Sequence, residues 1–279
     1  MKTIETHTCF GGTLGIYEHE ASSTNCTMRF SVFVPPQAQN RKCPAIFFLS
    51  GLTCTEENFT VKAGAYRAAA ELGLVVIAPD TSPRGDNVAD AEGYDIGKGA
   101  GFYVNATQAP WAMHYQMETY ITQELYQLIT REFAVDSDKT GIMGHSMGGH
   151  GALVLGQRYP QLFRSISAFA PICAPTQCPW GHKVFPQYLG DNPEAWAQYD
   201  ATALMLQQSD ASNNPTILID QGTADNFLTE QLHPDVFADA CKQVGQRLIL
   251  RMQEGYDHSY FFIQSFIDDH LRHHAQYLQ

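Results

Sequence analysis

Residues 140–159 read TGIMGHSMGGHGALVLGQRY, and this stretch sets a serine between a strand-like segment and a helix-like segment. The run TGIM is short and apolar, as in a buried strand, while GGHGALVLGQRY has the pattern of a helix. Between them, residues 144–148 read GHSMG and match the motif G-x-S-x-G around Ser146. A nucleophilic serine on a sharp strand-to-helix turn needs glycine on either side, because neighbouring backbone comes close there. The alternative is a glycine-rich helix start with an ordinary serine.

Short apolar runs recur along the chain, and segments of helical length separate them. The predicted strands lie at 28–35, 44–50, 74–78, 140–144, 164–170, 215–219 and 247–252, and the predicted helices at 57–72, 115–132, 147–158, 230–244 and 259–277. Buried strands that alternate with helices form a mostly parallel central sheet with helices on both faces. Together with the serine motif, this pattern predicts the α/β-hydrolase fold.

Length and composition favour one domain over residues 1–279. Hydrophobic residues make up 44% of the chain, and no linker or internal repeat divides it. The net charge of −12 repels nucleic-acid phosphates, and no cluster of lysine and arginine offsets that repulsion. The N-terminus lacks the apolar run of a secretory signal, and no run reaches the roughly 18 residues of a membrane span. We therefore expect a cytoplasmic protein that binds neither nucleic acid nor membrane.

The seven cysteines are an odd number and lie scattered, so we expect reduced thiols rather than a disulfide framework. Cys173 and Cys178 lie near His182, but the second half of a zinc pattern is missing. These three residues are therefore expected in a loop, and no metal site is predicted.

Ser146 needs a base and a carboxylate, because a serine hydroxyl is a weak nucleophile near neutral pH. In this fold the three residues follow in the order serine, acid, histidine, each after a later strand. Asp220 and Asp225 follow the run PTILI; Asp225 is favoured because it lies well into the loop, and Asp220 is the alternative, which could instead bond turn amides. His258 follows the run RLILRM and precedes the last helix, so it is the candidate base.

Other histidines receive structural interpretations. His270, His273 and His274 lie together on the last predicted helix, where we expect solvated or capping side chains. His145 and His150 flank the serine, and packing is the expected role of both.

The oxyanion of a tetrahedral intermediate needs two N–H donors. One is the amide after the nucleophile, which belongs to Met147. The other should come from a loop that follows an early strand. Residues 50–53, SGLT, form such a loop, and the amide of Leu52 is the candidate donor.

Seven blocks carry a more specific signal than the serine motif alone. They are LSGLTCTEENF (49–59), PDTSPRG (79–85), GAGFYVNATQAPW (99–111), GHSMGGHGAL (144–153), CPWG (178–181), DQGTADNFL (220–228) and EGYDHSYFF (254–262). In this order, and over nearly the whole chain, the blocks closely resemble the S-formylglutathione hydrolase family, also called esterase D.

The resemblance implies hydrolysis of S-formylglutathione to formate and glutathione in formaldehyde detoxification, by residues that match Ser146, Asp225 and His258. It implies a small glutathione thioester as substrate, a homodimer, and no metal or organic cofactor. A general short-chain carboxylesterase or an acyltransferase is the alternative, because fold and triad do not select the acyl group or its acceptor. A binding protein without activity is a further alternative, although it need not retain all three residues.

Two long segments are candidates for contacting the glutathione moiety. Residues 80–114 are rich in Gly, Asp, Asn and Pro, as functional loops often are, although an excursion packed on its own aromatic residues is an alternative. Residues 173–190 are predicted as a loop that contains Trp180, a candidate substrate contact. Cys54 is expected near the site but outside the chemistry. Candidates for binding the glutathione carboxylates are Arg84, Lys98 and Lys183.

Overall fold

A computed structural model describes residues 1–279, and a nine-stranded sheet lies at its centre. The strands are β1 (Lys2–Cys9), β2 (Gly12–Ala21), β3 (Cys26–Val34), β4 (Cys43–Leu49), β5 (Val75–Pro79), β6 (Val135–His145), β7 (Ile166–Phe169), β8 (Ile217–Gly222) and β9 (Leu248–Gln253). They lie in the order β1-β2-β3-β5-β4-β6-β7-β8-β9. The pairs β1–β2, β2–β3 and β3–β5 are antiparallel, and every pair from β5 to β9 is parallel.

Ten helices connect and cover the strands. They are α1 (Glu56–Lys62), α2 (Tyr66–Leu72), α3 (Met117–Thr119), α4 (Tyr126–Glu132), α5 (Met147–Arg158), α6 (Pro179–Leu189), α7 (Pro193–Ala197), α8 (Ala201–Leu206), α9 (Pro234–Val244) and α10 (Tyr260–Leu278). A π-helical segment, Tyr120–Leu125, joins α3 to α4. No helix combines the length and the apolar character needed to cross a membrane.

Helices α5 and α10 cover opposite faces of the sheet. Ile166 of β7 packs against Gly156 of α5, whereas the next residue, Ser167, hydrogen-bonds to His270 of α10 at 2.8 Å. Successive side chains of a strand point to opposite faces. The predicted mostly parallel sheet with helices on both faces is therefore confirmed.

Strands β4 and β5, in the middle of the sheet, are buried along their whole length, as their apolar composition requires. Every residue of β4 (CPAIFFL) and of β5 (VVIAP) is buried. Parallel strands covered on both faces read as continuous apolar runs rather than as an alternation. Their carboxyl ends share one edge of the sheet, and the loops that leave this edge are placed to form a common site.

Several elements differ from the predictions. Strands β1 and β2 were missed, and β1 has no buried residue that would give it an apolar alternation. The predicted helix 57–72 is two helices, α1 and α2, with Gly64 at φ 69° between them. The predicted loop 173–190 is largely helix α6, even though Pro186 lies inside that helix. The predicted helix 230–244 begins four residues later than expected, at Pro234.

The prediction that the histidines of the last helix are solvated or capping is wrong, because His270, His273 and His274 are all buried. His270 hydrogen-bonds to Ser167 at 2.8 Å and to Asp220 at 3.0 Å, and His274 hydrogen-bonds to Ser167 at 2.9 Å. Polar side chains can be buried when such partners replace water. These partners come from distant strands and left no local signal.

Neutral buried histidines make the stability of the fold depend on pH. Burial lowers the pKa of His150 and of His273 to about 4, and the nearby His270 acts in the same direction on His273. Histidine in an unfolded chain has a pKa of about 6.5. Between these two values the unfolded chain binds more protons than the folded chain. We therefore expect the free energy of unfolding to fall as pH is lowered through this window, by up to ~1.4 kcal/mol per pH unit for each histidine.

His273→Gln should reduce this pH dependence, since it removes one of the groups that titrate only on unfolding. Urea denaturation between about pH 4.5 and 7 measures the slope. The matched control is His7→Gln, which makes the same substitution at a side chain that is 58% exposed on β1. Equal slopes for the wild type and His273→Gln would contradict the expectation.

Candidate active site

Ser146 lies on the turn between β6 and α5, with φ 58° and ψ −119°. A non-glycine residue in so sparsely populated a conformation costs about 1–3 kcal/mol, and the surroundings must hold it there. The Ser146 amide donates to the Phe169 carbonyl at 3.0 Å. A Cβ atom on Gly148 would lie 1.9 Å from the Leu49 carbonyl oxygen, so the backbone approach requires glycine at that position.

Two further loops from the same sheet edge bring His258 and Asp225 to this serine. The Ser146 hydroxyl donates to His258 Nε2 at 2.9 Å, and His258 Nδ1 donates to Asp225 Oδ2 at 2.5 Å. Asp225 follows β8, and His258 lies between β9 and α10. The side chain of Asp225 is fully buried, whereas that of His258 is 18% exposed. The structure therefore brings together the three residues predicted from chain order, in the arrangement of a nucleophile, a base and an orienting acid.

Two groups that the sequence reasoning missed fix the carboxylate of Asp225. The Phe227 amide donates to Asp225 Oδ1 at 2.8 Å, and the Gln221 side chain donates to Asp225 Oδ2 at 3.2 Å. Both residues belong to the block DQGTADNFL, and membership of this block was the only sequence feature that pointed to a role in the site. With these donors, Asp225 holds a fixed orientation toward His258.

Asp220 has a different environment from the one predicted for it. Its carboxylate does not bond turn amides; it accepts hydrogen bonds from Arg251 Nε at 2.7 Å, Gln253 Nε2 at 2.9 Å and His270 Nε2 at 3.0 Å. Burial alone would raise the pKa of Asp220, but the hydrogen bonds from His270 and Arg251 lower it to about 2. Asp220 is thus an ionised group of β8 that binds side chains of β9 and α10, and no hydrogen bond joins it to His258.

His145 packs against the triad histidine, with its ring centroid 4.5 Å from that of His258. Burial lowers the pKa of His145 well below its usual range, and the proximity of His258 lowers it further. His145 therefore stays neutral near pH 7 and adds no positive charge beside His258. The expected packing role fits this position.

The two predicted oxyanion donors belong to segments that lie next to Ser146. Met147 is the first residue of α5, so its amide has no acceptor within that helix. The amide of Leu52 donates to no carbonyl or side chain. A Cβ atom on Gly51 would lie 3.1 Å from the Ser146 Cβ, which places the backbone before Leu52 directly against the serine. Both amides are thus available beside Ser146, as an oxyanion hole requires.

A cavity of about 300 Å³ opens at Ser146 and His258. The indole of Trp180 lies in its wall, 4.8 Å from the Phe227 ring, and donates to the Tyr94 hydroxyl at 3.3 Å. The lining residues are Gly51, Leu52, Thr53, Cys54, Asn58, Tyr94, His145, Ser146, Trp180, Phe227, His258, Ser259 and Tyr260. Trp180 and Cys54, the two predicted substrate contacts, therefore both line the cavity that opens at Ser146.

Cys54 is a neutral thiol in this position, because burial raises its pKa. Two of the predicted cations are already paired: Arg84 contacts Asp80 at 2.7 Å, and Lys183 contacts Asp95 at 2.5 Å. No group of three histidine, cysteine or acidic side chains is placed to hold a metal ion.

Comparison with known proteins identifies the family. The family model "Putative esterase" matches residues 21–273. The S-formylglutathione hydrolase of Rattus norvegicus is 52% identical over 280 residues, which cover 100% of this chain and 99% of the relative; that of Mus musculus is 53% identical over the same coverage. This chain belongs to the S-formylglutathione hydrolase family.

Solved structures agree with this family assignment. An S-formylglutathione hydrolase from Agrobacterium tumefaciens matches with a TM-score of 0.97 and 47% identity, over 100% of both chains. A ferulic acid esterase matches with a TM-score of 0.73 over 95% of this chain and 98% of its own, and at 17% identity it shows the fold alone. The predicted α/β-hydrolase fold class is thereby confirmed.

Substitutions of Asp220, which lies in β8, and of Asp225, which lies in the loop after it, are expected to have different effects. Asp225→Asn should lower kcat by about 10⁴-fold with little loss of stability, because an amide no longer fixes the tautomer of His258 or stabilises its charged form. Asp220→Asn should lower the free energy of unfolding by about 2–4 kcal/mol and largely keep kcat, because Arg251 loses a charged partner. Ester hydrolysis assays and urea denaturation of both variants measure the two effects. The reverse pattern would make Asp220 the orienting acid.

Proposed function

We propose that this chain is a serine hydrolase that cleaves S-formylglutathione to formate and glutathione. The observation that carries the proposal is the hydrogen-bonded series Ser146, His258 and Asp225 at an open cavity. Family membership at 52% identity over the full length supports this substrate. No metal or organic cofactor takes part in the proposed reaction.

Acylation begins at the formyl carbon of the thioester. Ser146 Oγ attacks this carbon while His258 Nε2 takes the hydroxyl proton, and Asp225 stabilises the resulting imidazolium. The amides of Leu52 and Met147 donate to the oxyanion. The carbon–sulfur bond then breaks, and glutathione leaves as a thiolate. Because a thiol has a pKa of about 8.5, this leaving group needs less proton assistance than an alkoxide.

Deacylation repeats the chemistry with water as nucleophile. His258, neutral again after it has given its proton to the departing thiolate or to solvent, takes a proton from a water molecule. That water attacks the formyl carbon on Ser146, and the same two amides hold the second oxyanion. The bond to Ser146 Oγ breaks, His258 returns a proton to the serine, and formate leaves.

The wall of the cavity supports a role for Trp180 in binding the leaving group. Trp180 is only 4% exposed, and it is held between the Phe227 ring and the Tyr94 hydroxyl. Tyr94 itself is 52% exposed, so it lies at the rim where a long leaving group would pass. The acyl side of the thioester carries only a hydrogen, so the aromatic wall is left for the glutathione moiety.

The substrate assignment is tested by kcat/KM for S-formylglutathione, S-acetylglutathione and p-nitrophenyl acetate. We expect the formyl thioester to be preferred, and Ser146→Ala to lose about 10⁴- to 10⁶-fold in kcat on all three substrates. A preference for the aryl ester would favour the general carboxylesterase, and faster transfer to an added alcohol than to water would favour the acyltransferase. Activity retained in Ser146→Ala would contradict the serine mechanism itself.

Trp180→Ala is expected to raise KM for glutathione thioesters by about tenfold and to leave KM for p-nitrophenyl acetate nearly unchanged, because only the longer leaving group reaches the indole. Steady-state kinetics on both substrates measure the difference. Trp196→Ala is the matched control, since Trp196 bonds to the Gly190 carbonyl and does not line the cavity. Equal effects of Trp180→Ala on both substrates would remove this tryptophan from the glutathione site.

We further propose a cytoplasmic, single-domain protein that forms a homodimer. All seven cysteines are free thiols, which suits a reducing compartment. One continuous apolar core includes residues from β2 to α10, which supports a single domain over residues 1–279. Ile249 and Met252 are about half exposed on the edge strand β9, where a partner could cover them. Light scattering in solution distinguishes the dimer from a monomer.

A further inference from the structure

The loop that carries the Leu52 amide, residues 50–54, has an unusual backbone. We call Ser50–Cys54 the oxyanion loop. It contains no helix or strand, and Thr53 has φ 68°. A positive φ on a β-branched residue is a genuine outlier that persists only where surrounding contacts over-determine it. The contacts that hold this loop therefore decide where the Leu52 amide points.

Two of these contacts come from the neighbourhood of Tyr103. The Tyr103 hydroxyl donates to the Ser50 carbonyl at 2.9 Å, and the Thr53 amide donates to the Gly99 carbonyl at 2.9 Å. Tyr103 is 1% exposed, so no water competes for its hydroxyl. These two hydrogen bonds fix the backbone immediately before and immediately after Gly51 and Leu52.

Gly99 is required by how closely the two segments approach. A Cβ atom at this position would lie 3.0 Å from the Thr53 Cα, and Gly99 itself has φ 83°. Any side chain here would push the strained residue of the oxyanion loop out of place. Thr53 is thus held by Gly99 in two ways, through close backbone packing and through the hydrogen bond from its amide to the Gly99 carbonyl.

The far end of the oxyanion loop is held by an ion pair. Arg84 donates to the Asp80 carboxylate through Nε at 2.7 Å and Nη2 at 3.0 Å, and Nη2 also donates to the Cys54 carbonyl at 3.1 Å. The Thr81 hydroxyl donates to the same Cys54 carbonyl at 2.5 Å. The planar fork of arginine allows it to bind the carboxylate and the carbonyl at once. Arg84 is therefore engaged with the loop, and its earlier interpretation as a ligand for a glutathione carboxylate is not supported by this geometry.

We propose that the segment Asp80–Tyr103 is the frame that positions the oxyanion donor, with Tyr103 and Arg84 as its positioning residues. Neither side chain lines the cavity at Ser146; each acts on the Leu52 amide through the carbonyl it binds. An oxyanion hole works because its donors are fixed before the reaction, so a loosened loop loses stabilisation of the transition state and keeps ground-state binding. This inference rests on the proposed serine mechanism, since only attack by Ser146 creates the oxyanion.

Tyr103→Phe tests the frame with the smallest change, because it removes one hydroxyl and keeps the ring. We expect kcat for p-nitrophenyl acetate to fall by about ten- to a hundredfold with KM unchanged. The matched control is Tyr126→Phe: Tyr126 is also buried, and its hydroxyl donates to a backbone carbonyl outside the frame, that of Ser137, at 2.7 Å. The control should lose stability in thermal unfolding and keep kcat. Equal losses of kcat in both variants would overturn the proposal, as would a Tyr103→Phe variant whose only change is in Tm.

A second variant and a second readout keep the test decisive if Tyr103→Phe does not fold. Arg84→Lys keeps the charge opposite Asp80 but loses the fork that reaches Cys54, so it should also lower kcat at constant KM. The affinity for a phenyl trifluoromethyl ketone, which forms a tetrahedral adduct with a nucleophilic serine, should fall by the same factor as kcat/KM. Unchanged affinity for this ketone in a variant with low kcat would overturn the proposal. Failure of the serine mechanism would be distinct, since the wild type would then form no adduct and Ser146→Ala would stay active.

Discussion

The positive-φ backbone at Ser146 is stable because the two neighbouring strands crowd around it. The Phe169 carbonyl at the end of β7 accepts the Ser146 amide, and the Leu49 carbonyl at the end of β4 occupies the space beside Gly148. Since β4 and β7 flank β6, the parallel order of the sheet is what holds the turn. The loops after β8 and β9 leave the same edge of the sheet, and they bring Asp225 and His258 to a serine whose position is fixed by these strands.

The fold class and the residues Ser146, Asp225 and His258 were predictable from short segments of the sequence and from the order of those segments along the chain. The apolar run CPAIFFL predicts a buried strand. The order of serine, acid and histidine in this fold predicted that Asp225 and His258 follow later strands. Strand β1 could not be predicted, because it has no buried face. Helix α6 was hidden by Pro186 inside it, because a proline in the interior of a segment disfavours a helix. The partners of Asp225 were also beyond reach, because a glutamine side chain and a backbone amide carry no signature until the turn is folded.

Two Ser-His-Asp arrangements occur in this protein. Comparing them shows that the three residue types alone do not make a site that a substrate can reach. Beside the site, Ser167 lies 2.8 Å from His270, which lies 3.0 Å from Asp220. All three residues are fully buried, so no substrate can reach the Ser167 hydroxyl. That hydroxyl is also engaged by hydrogen bonds to both His270 and His274. The buried arrangement ties β7, β8 and α10 together. The other arrangement opens to a cavity, and access for a substrate is the difference between them.

The site is assembled from parts that are far apart along the chain. The Ser146 and His258 side chains that meet at 2.9 Å are 112 positions apart, and the Ser50–Tyr103 contact spans 53 positions. During synthesis the N-terminal part of a chain emerges first, so the oxyanion loop and its frame leave the ribosome before the base does. A nascent chain that already carries Ser146 still lacks its proton acceptor. The hydrogen-bonded series Ser146, His258 and Asp225 can therefore form only after β9 has joined the sheet, so this site is among the last parts of the molecule to be completed.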